Sequence, residues 1–215
     1  AYDNLGQLDT ALTKDIGNNP VTGQQFDYGY DAGWNLTTRA TGSGTTTYGV
    51  NDRNQVTTGV GGYSLIHDAN GNRTSESTGT TTSLSYTYDA ENQLASVATD
   101  TYGTADAYRW KLEFTYDGRG RLRVRKDYNW NTGSGSWYPN GETRYMYDGM
   151  LLVQERNASN VPQVSYTRGL DLSGSLAGAG GIGGLLARST HSSTTPYPLS
   201  TSSYYHADGN GNITY

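Results

Sequence analysis

Two short stretches carry the residue types of a calcium loop. Asp68-Ala69-Asn70-Gly71-Asn72 and Asp208-Gly209-Asn210-Gly211-Asn212 set side-chain oxygens at alternate positions. An EF-hand loop needs Gly at its sixth position and a bidentate Glu at its twelfth. Arg73 and Ile213 stand at the sixth, and Gly79 at the twelfth of the first stretch. The same residue order also makes a tight turn, because an Asp carboxylate accepts backbone amides a few residues on. Turn chemistry is the expectation.

The other reactive types fall into no catalytic or metal-binding set. His67, His191 and His206 share no metal-ligand spacing. Ser is plentiful, but no Gly-x-Ser-x-Gly elbow aims a nucleophile. Gly178 to Gly184 lacks the Gly-Lys-Ser/Thr ending of a phosphate loop. Arg119, Arg121, Arg123 and Arg125 alternate with Leu122 and Val124, which places the arginines on one strand face. Such a row either tracks phosphates or pairs with carboxylates. The net charge is −5, so a carboxylate-paired face is expected and a nucleic-acid partner is not. Recurrent Tyr and Trp would serve as a glycan platform or as cohesion for a thin sheet. Trp130 and Trp137 flank an irregular Gly/Ser loop and are expected as exposed contacts. No enzyme activity, metal or cofactor is expected.

The elements that hold these residues repeat. Tyr2-Asp3, Tyr30-Asp31, Tyr88-Asp89, Tyr116-Asp117 and Tyr147-Asp148 each begin a stretch of one shape, with weaker copies at Asn51, Asp68 and Asp208. Five residues after the Asp or Asn stands Leu8, Leu36, Val56, Arg73, Leu94, Leu122, Val153 or Ile213. Ahead of it, large side chains fall at every second residue, as in Phe26, Tyr28, Tyr30 and in Leu112, Phe114, Tyr116, which is the period of a strand. Three residues after it, Gly6, Gly71, Gly120, Gly211, Asn54 and Asn92 suit a backbone with positive φ. Trp34 and Leu151 do not, so those turns are expected to differ. Each unit reads as a β-hairpin. A self-similar array decides the fold: all-β, one continuous spiralling antiparallel sheet of hairpins without significant helix.

With these repeats the chain resembles the RHS/YD-repeat family. A second stretch strengthens the likeness. Tyr166-Thr167-Arg168-Gly169-Leu170-Asp171-Leu172-Ser173-Gly174 runs into Gly180-Gly181-Ile182-Gly183-Gly184, and Tyr204-Tyr205-His206-Ala207-Asp208-Gly209-Asn210-Gly211 follows. This resembles the region that family members carry near the end of their array. The resemblance implies a hairpin array over residues 1–155 and a core-like region over 156–215. It implies a non-enzymatic shell segment that encloses a toxin-type cargo, in a secreted or cell-surface bacterial protein. The self-cleaving members carry an Asp-Pro motif after that region, and no Asp-Pro pair occurs here. Two further readings stay open: an extracellular filament or adhesin built by edge-to-edge strand addition, and a glycan-binding surface module. The expected partners are the rest of the array or further copies through the sheet edges, an enclosed protein and a glycan.

Composition bounds these readings. Hydrophobic residues make up 33% of 215, against 19 Tyr and 29 Gly, so a thick aliphatic core is not available. Periodic aromatics argue against disorder. Without Cys there is no disulfide framework. No run is long and apolar enough for a membrane span, and membrane insertion is not expected. The chain starts and stops inside copies of the repeat, so a piece of a longer array is expected. About sixteen to eighteen strands at ~4.8 Å make a strip roughly 80 Å wide. Gly42 to Thr47, Ser77 to Thr82, Asn131 to Gly135 and Ser189 to Ser203 read as loops.

Overall fold

The computed structural model describes residues 1–59, 62–78, 83–99, 105–191 and 200–214. Its strands are β1 (Thr10–Lys14), β2 (Pro20–Tyr30), β3 (Leu36–Thr41), β4 (Gly44–Thr47), β5 (Gly49–Val50), β6 (Val56–Thr58), β7 (Ser64–His67), β8 (Arg73–Ser77), β9 (Ser83–Tyr88) and β10 (Leu94–Thr99). They continue with β11 (Trp110–Tyr116), β12 (Leu122–Asn131), β13 (Ser136–Asp148), β14 (Leu151–Asn157), β15 (Pro162–Arg168), β16 (Leu185–His191), β17 (Ser200–Tyr204), β18 (His206–Ala207) and β19 (Ile213–Thr214). A 3-10 turn spans Asp106–Tyr108.

Strands adjacent in sequence are adjacent in the sheets. A four-stranded sheet runs β1-β2-β3-β4, a 13-stranded sheet runs from β17 through to β5, and β18 pairs with β19. The pairings are antiparallel, as short connections require. The chain forms two compact units. One comprises Ala1–Tyr88 with Val97–Arg109, and the other Asp89–Ser96 with Trp110–Tyr215. Residues 155 and 156 both lie within β14.

Little of either unit is deeply buried. Among the described residues Val97, Leu151, Val164 and Ala187 are the buried hydrophobic ones, and Thr99 and Asp171 the buried polar or charged ones. Cross-strand pairs supply cohesion instead. The Tyr128 hydroxyl donates to Glu113 at 2.6 Å, and Lys111 Nζ lies over the Tyr128 ring at 5.2 Å. The arginines at the start of β12 are carboxylate-paired: Arg121, just ahead of the strand, and Arg123 with Asp117, and Arg125 with Asp127.

Described parts of three expected loops are strand. Gly44 to Thr47 form β4, with Thr38, Arg39 and Ala40 opposite Thr47, Thr46 and Thr45. Ser189 to His191 belong to β16 and Ser200 to Ser203 to β17, while 192–199 lie outside the described residues. Hydroxyls make this pairing: Ser189 Oγ and Ser202 Oγ are 2.7 Å apart, and Thr190 Oγ1 donates to Thr201 O at 3.3 Å. Ser77 ends β8, while 79–82 lie outside the described residues. Trp130 and Trp137 are not free contacts. They face each other across β12 and β13, edge to face, with centroids 5.0 Å apart and an interplanar angle of 72°.

Candidate functional site

The repeat reduces to one turn. At Asp117, between β11 and β12, the Asp117 amide donates to Arg121 O at 3.0 Å and the Gly120 amide donates to Asp117 O at 2.8 Å. Asp117 Oδ1 accepts the amides of Arg119 at 3.0 Å and Arg121 at 3.2 Å. Gly120 has φ +73°, and Tyr116 pairs with Leu122 across a bulge. This is a three-residue hairpin connection closed by a left-handed residue. One carboxylate oxygen thus satisfies two amides that the ladder leaves over.

Asp3, Asp31, Asn51, Asp68, Asp89 and Asp208 build the same turn with their own Oδ1 atoms. The left-handed position holds Gly6, Trp34, Asn54, Gly71, Asn92 and Gly211. Trp34 therefore does not change the turn. It adopts φ +67° with Asp31 making the usual bonds, in a region that bulky side chains avoid.

Asp148 is the exception. Asp148 pairs with Leu151 as the last residue of β13, and only Gly149 and Met150 connect the strands. Tyr147-Asp148 is thus a copy in sequence but not in geometry, because Gly149 takes the positive φ two positions early. Conversely, Asp15 and Asn157 build the turn without a preceding Tyr. Gly59 builds its backbone alone, with Gly62 at φ +74°. An Asp or Asn with Asn three residues on was the available signal for Asp15 and Asn157.

The carboxylates are tuned by what they hold. At Asp31, Asp68 and Asp208 the side-chain amide of Asn35, Asn72 or Asn212 leads in holding the pKa below the ordinary value, with backbone amides adding to it. At Asp15 the Asn19 backbone amide leads. At Asp117 the Arg121 guanidinium, donating to Oδ2 at 2.7 and 2.9 Å, depresses it furthest.

Successive turns are joined by side chains. The Tyr ahead of one Asp donates its hydroxyl to the carbonyl five residues past the preceding one. Tyr30 reaches Leu8 O at 3.1 Å, Tyr88 reaches Arg73 O at 3.0 Å, and Tyr116 reaches Leu94 O at 3.1 Å. Arg168 takes this role toward Leu152 O at 3.1 Å. A second link runs through the side chain four residues past the Asp. Asn35 Nδ2 donates to Asn54 Oδ1 at 3.0 Å. A Cβ on Gly120 would lie 3.0 Å from Gln93 Nε2, and one on Gly71 3.3 Å from Gln55 Nε2. These links were missed in the sequence, although Tyr in place of Phe at this position was their mark.

The core-like residues come together around Asp171. Its Oδ1 accepts the Ser173 hydroxyl at 2.5 Å and the Ser173 amide at 2.9 Å, and its Oδ2 accepts the amides of Ala179 at 2.6 Å and Gly181 at 3.1 Å. The Ser173 hydroxyl leads in lowering its pKa to about 2. The Gly169 amide donates to Gly184 O at 2.8 Å, which closes the loop between β15 and β16. Gly180, Gly181 and Gly183 have φ of +69°, +81° and +78°. A Cβ at Gly181 would fall 2.5 Å from Leu151 Cδ2 and 3.4 Å from an Arg168 guanidinium nitrogen. Leu172 and Ile182 pack on the Asp208 turn at Gly211.

Chemical groups are otherwise sparse. Among the described residues no set of three or more His, Asp or Glu is placed to hold a metal ion. A shallow groove between the Asp89 and Asp117 turns is lined by Gln93, Tyr116 and Gly120. No described helix is long and apolar enough to cross a membrane.

No family model and no curated protein sequence matches the chain. Solved structures do. The chain is similar over 98% of its length to the crystal structure of TcdB2-TccC3-TEV, with a TM-score of 0.59 and 15% identity. It is similar over 98% to TcdB2-TccC3-Cdc42, with a TM-score of 0.60 and 16% identity. Over its whole length it is similar to TcdB2-TccC3 without the hypervariable C-terminal region, with a TM-score of 0.58 and 14% identity. It spans 12% of the length of each of these chains. At this identity the likeness is one of fold.

Proposed function

We propose that the chain is a non-enzymatic wall segment of an RHS/YD-type shell, and that the shell encloses a polypeptide cargo of the toxin type. The observation that carries this reading is the ordered antiparallel hairpin sheet, matched in fold over 98% of the chain by TcdB2-TccC3-TEV. Single-carboxylate turns and hydroxyl staples favour a sheet extended unit by unit rather than a pocket built for chemistry. One of the neighbours is described as lacking a hypervariable C-terminal region, and a variable C-terminal segment suits a constant wall with an exchangeable cargo. A secreted or cell-surface bacterial setting goes with this reading.

The test is the coding sequence around these 215 residues and the behaviour of its product. Further repeats, and a following unrelated segment that resists protease until the array is denatured, are expected. A following segment digested at the rate of the free segment would contradict enclosure.

A further inference from the structure

Trp130 and Trp137 are spent on each other, but the opposite face of the same strands leaves two aromatics open. Trp110 on β11, Asn129 on β12 and Tyr138 on β13 stand directly opposite one another. Residues paired in this way share one face of a sheet. Trp110 is 38% exposed and Tyr138 44%. Two strand spacings set them about 10 Å apart. β12 lies between β11 and β13 inside the 13-stranded sheet, so this opening is not that of a sheet edge.

A cavity of about 340 Å³ opens beside this row, with Trp110, Leu112, Asp127, Asn129 and Asn140 among its walls. Two features of β13 leave room for it. Gly141 stands opposite Asp127 and brings no side chain. The register then shifts, with Pro139 opposite Tyr128, so Asn140 is the extra residue of a bulge. The side-chain amides of Asn129 and Asn140 have no hydrogen-bond partner among the described residues. Asp127 is paired with Arg125, whose Nε lies 3.2 Å from Oδ1. A carboxylate has about four acceptor positions, so Arg125 leaves some of them open.

This chemistry suits a neutral sugar. A pyranose offers an apolar C–H face to an aromatic ring, and a rim of hydroxyls that each donate and accept. Trp110 and Tyr138 supply the apolar surface, Asp127 accepts from hydroxyls, and the two amides both donate and accept. The charges argue against an ion. Arg125 balances Asp127, and Lys111 Nζ is held 2.6 Å from Glu113 Oε1 on the far face. A charged ligand would lose water here without an opposite charge to replace it. We propose that the pocket of Trp110, Asp127, Asn129 and Asn140 binds a neutral glycan. One sugar ring lies against Trp110, and the glycan runs across β12 toward Tyr138. A wall segment can carry such a site whatever the wall encloses.

The test is an NMR titration of the chain with maltose, cellobiose, lactose and diacetylchitobiose, with choline and sulfate as charged probes. The chain has 4 Trp, so each indole N–H signal can be followed. At least one sugar should shift the Trp110 indole and the amides of Asn129 and Gly141 saturably, with a dissociation constant on the order of 1 mM. The indoles of Trp34, Trp130 and Trp137 should stay in place. Asn129→Ala should weaken binding roughly fivefold, the worth of one hydrogen bond. Gly141→Leu fills the space beside Asp127, where a Cβ would lie 3.5 Å from Oδ2 without a clash, and should abolish the shifts in a chain that stays folded. Trp137→Phe, on the far face, should leave binding unchanged. No saturable shift with any of the sugars up to about 50 mM, well past weak affinity, would overturn the proposal. So would shifts that survive Gly141→Leu, or a stronger response of Trp110 to choline or sulfate than to every sugar. None of these results touches the wall reading, which the protease test of cargo enclosure decides.

Discussion

The Asp117 turn and the Asp171 loop use one device at two scales. In each, a single carboxylate collects donors that the β-ladder leaves over. Asp117 does so in a tight, exposed hairpin turn, with Arg121 as its counter-charge. Asp171 does so at 6% exposure, with a hydroxyl and backbone amides drawn from residues up to ten positions away. The small turn tolerates variation: Asn replaces Asp at 51 and 157, and Gly does without the side chain at 59. The loop has less room for it, because its amides face inward and Leu151 presses on Gly181. A device repeated along a sheet is individually dispensable, while the same device used once to close a long loop is not.

Acid breaks both scales at once and has the largest expected effect. Asp15, Asp31, Asp68, Asp117, Asp171 and Asp208 all have pKa values below the ordinary carboxylate value. A depressed folded-state pKa contributes stability that is present above the unfolded value, about 4, and is lost as pH falls through the folded value. Urea midpoints should therefore be level above about pH 5 and fall steadily between about pH 4 and pH 2. A rise over that range would contradict the assignment.

Gly181→Ala comes next. It combines a left-handed backbone with a Cβ only 2.5 Å from Leu151 Cδ2, and should cost about 3 kcal/mol in chemical denaturation. Gly6→Ala has a similar φ and open space, so about 1 kcal/mol is expected. Equal losses would show that packing on Leu151 does not set the loop apart. Tyr116→Phe removes only the staple to Leu94 O and should cost about 1 kcal/mol. Trp34→Gly runs the other way: a residue at ease with φ +67° should stabilise the Asp31 turn by under about 1 kcal/mol.

The hairpins were legible because strand period and turn chemistry agree at Asp89 and Asp117. Asp148 misled, since Gly149 shortens the connection before the carboxylate can act. Asp15 and Asn157 escaped notice because no Tyr precedes them and Pro20 and Pro162, not Leu, Val or Ile, stand five residues on. Ser189 to Ser203 read as loop on composition, but at its two described ends the Ser189 and Ser202 hydroxyls pair across strands. The Arg168 to Gly184 stretch was recognisable only as a whole. That Asp171 is its hub depends on amides eight and ten residues on, which no local pattern reveals.

The most direct test of the carboxylate-built turn is an NMR titration of the amides four residues past each turn-forming residue, from pH 6 to pH 2. Those of Asn35, Asn72 and Asn212 should shift with midpoints below the ordinary aspartate value of about 3.9. Those of Gln55 and Val161, which bond to the uncharged Asn51 and Asn157, should stay flat. Midpoints at the ordinary value, or equal shifts in both groups, would contradict the claim that ionised Asp side chains organise this sheet edge.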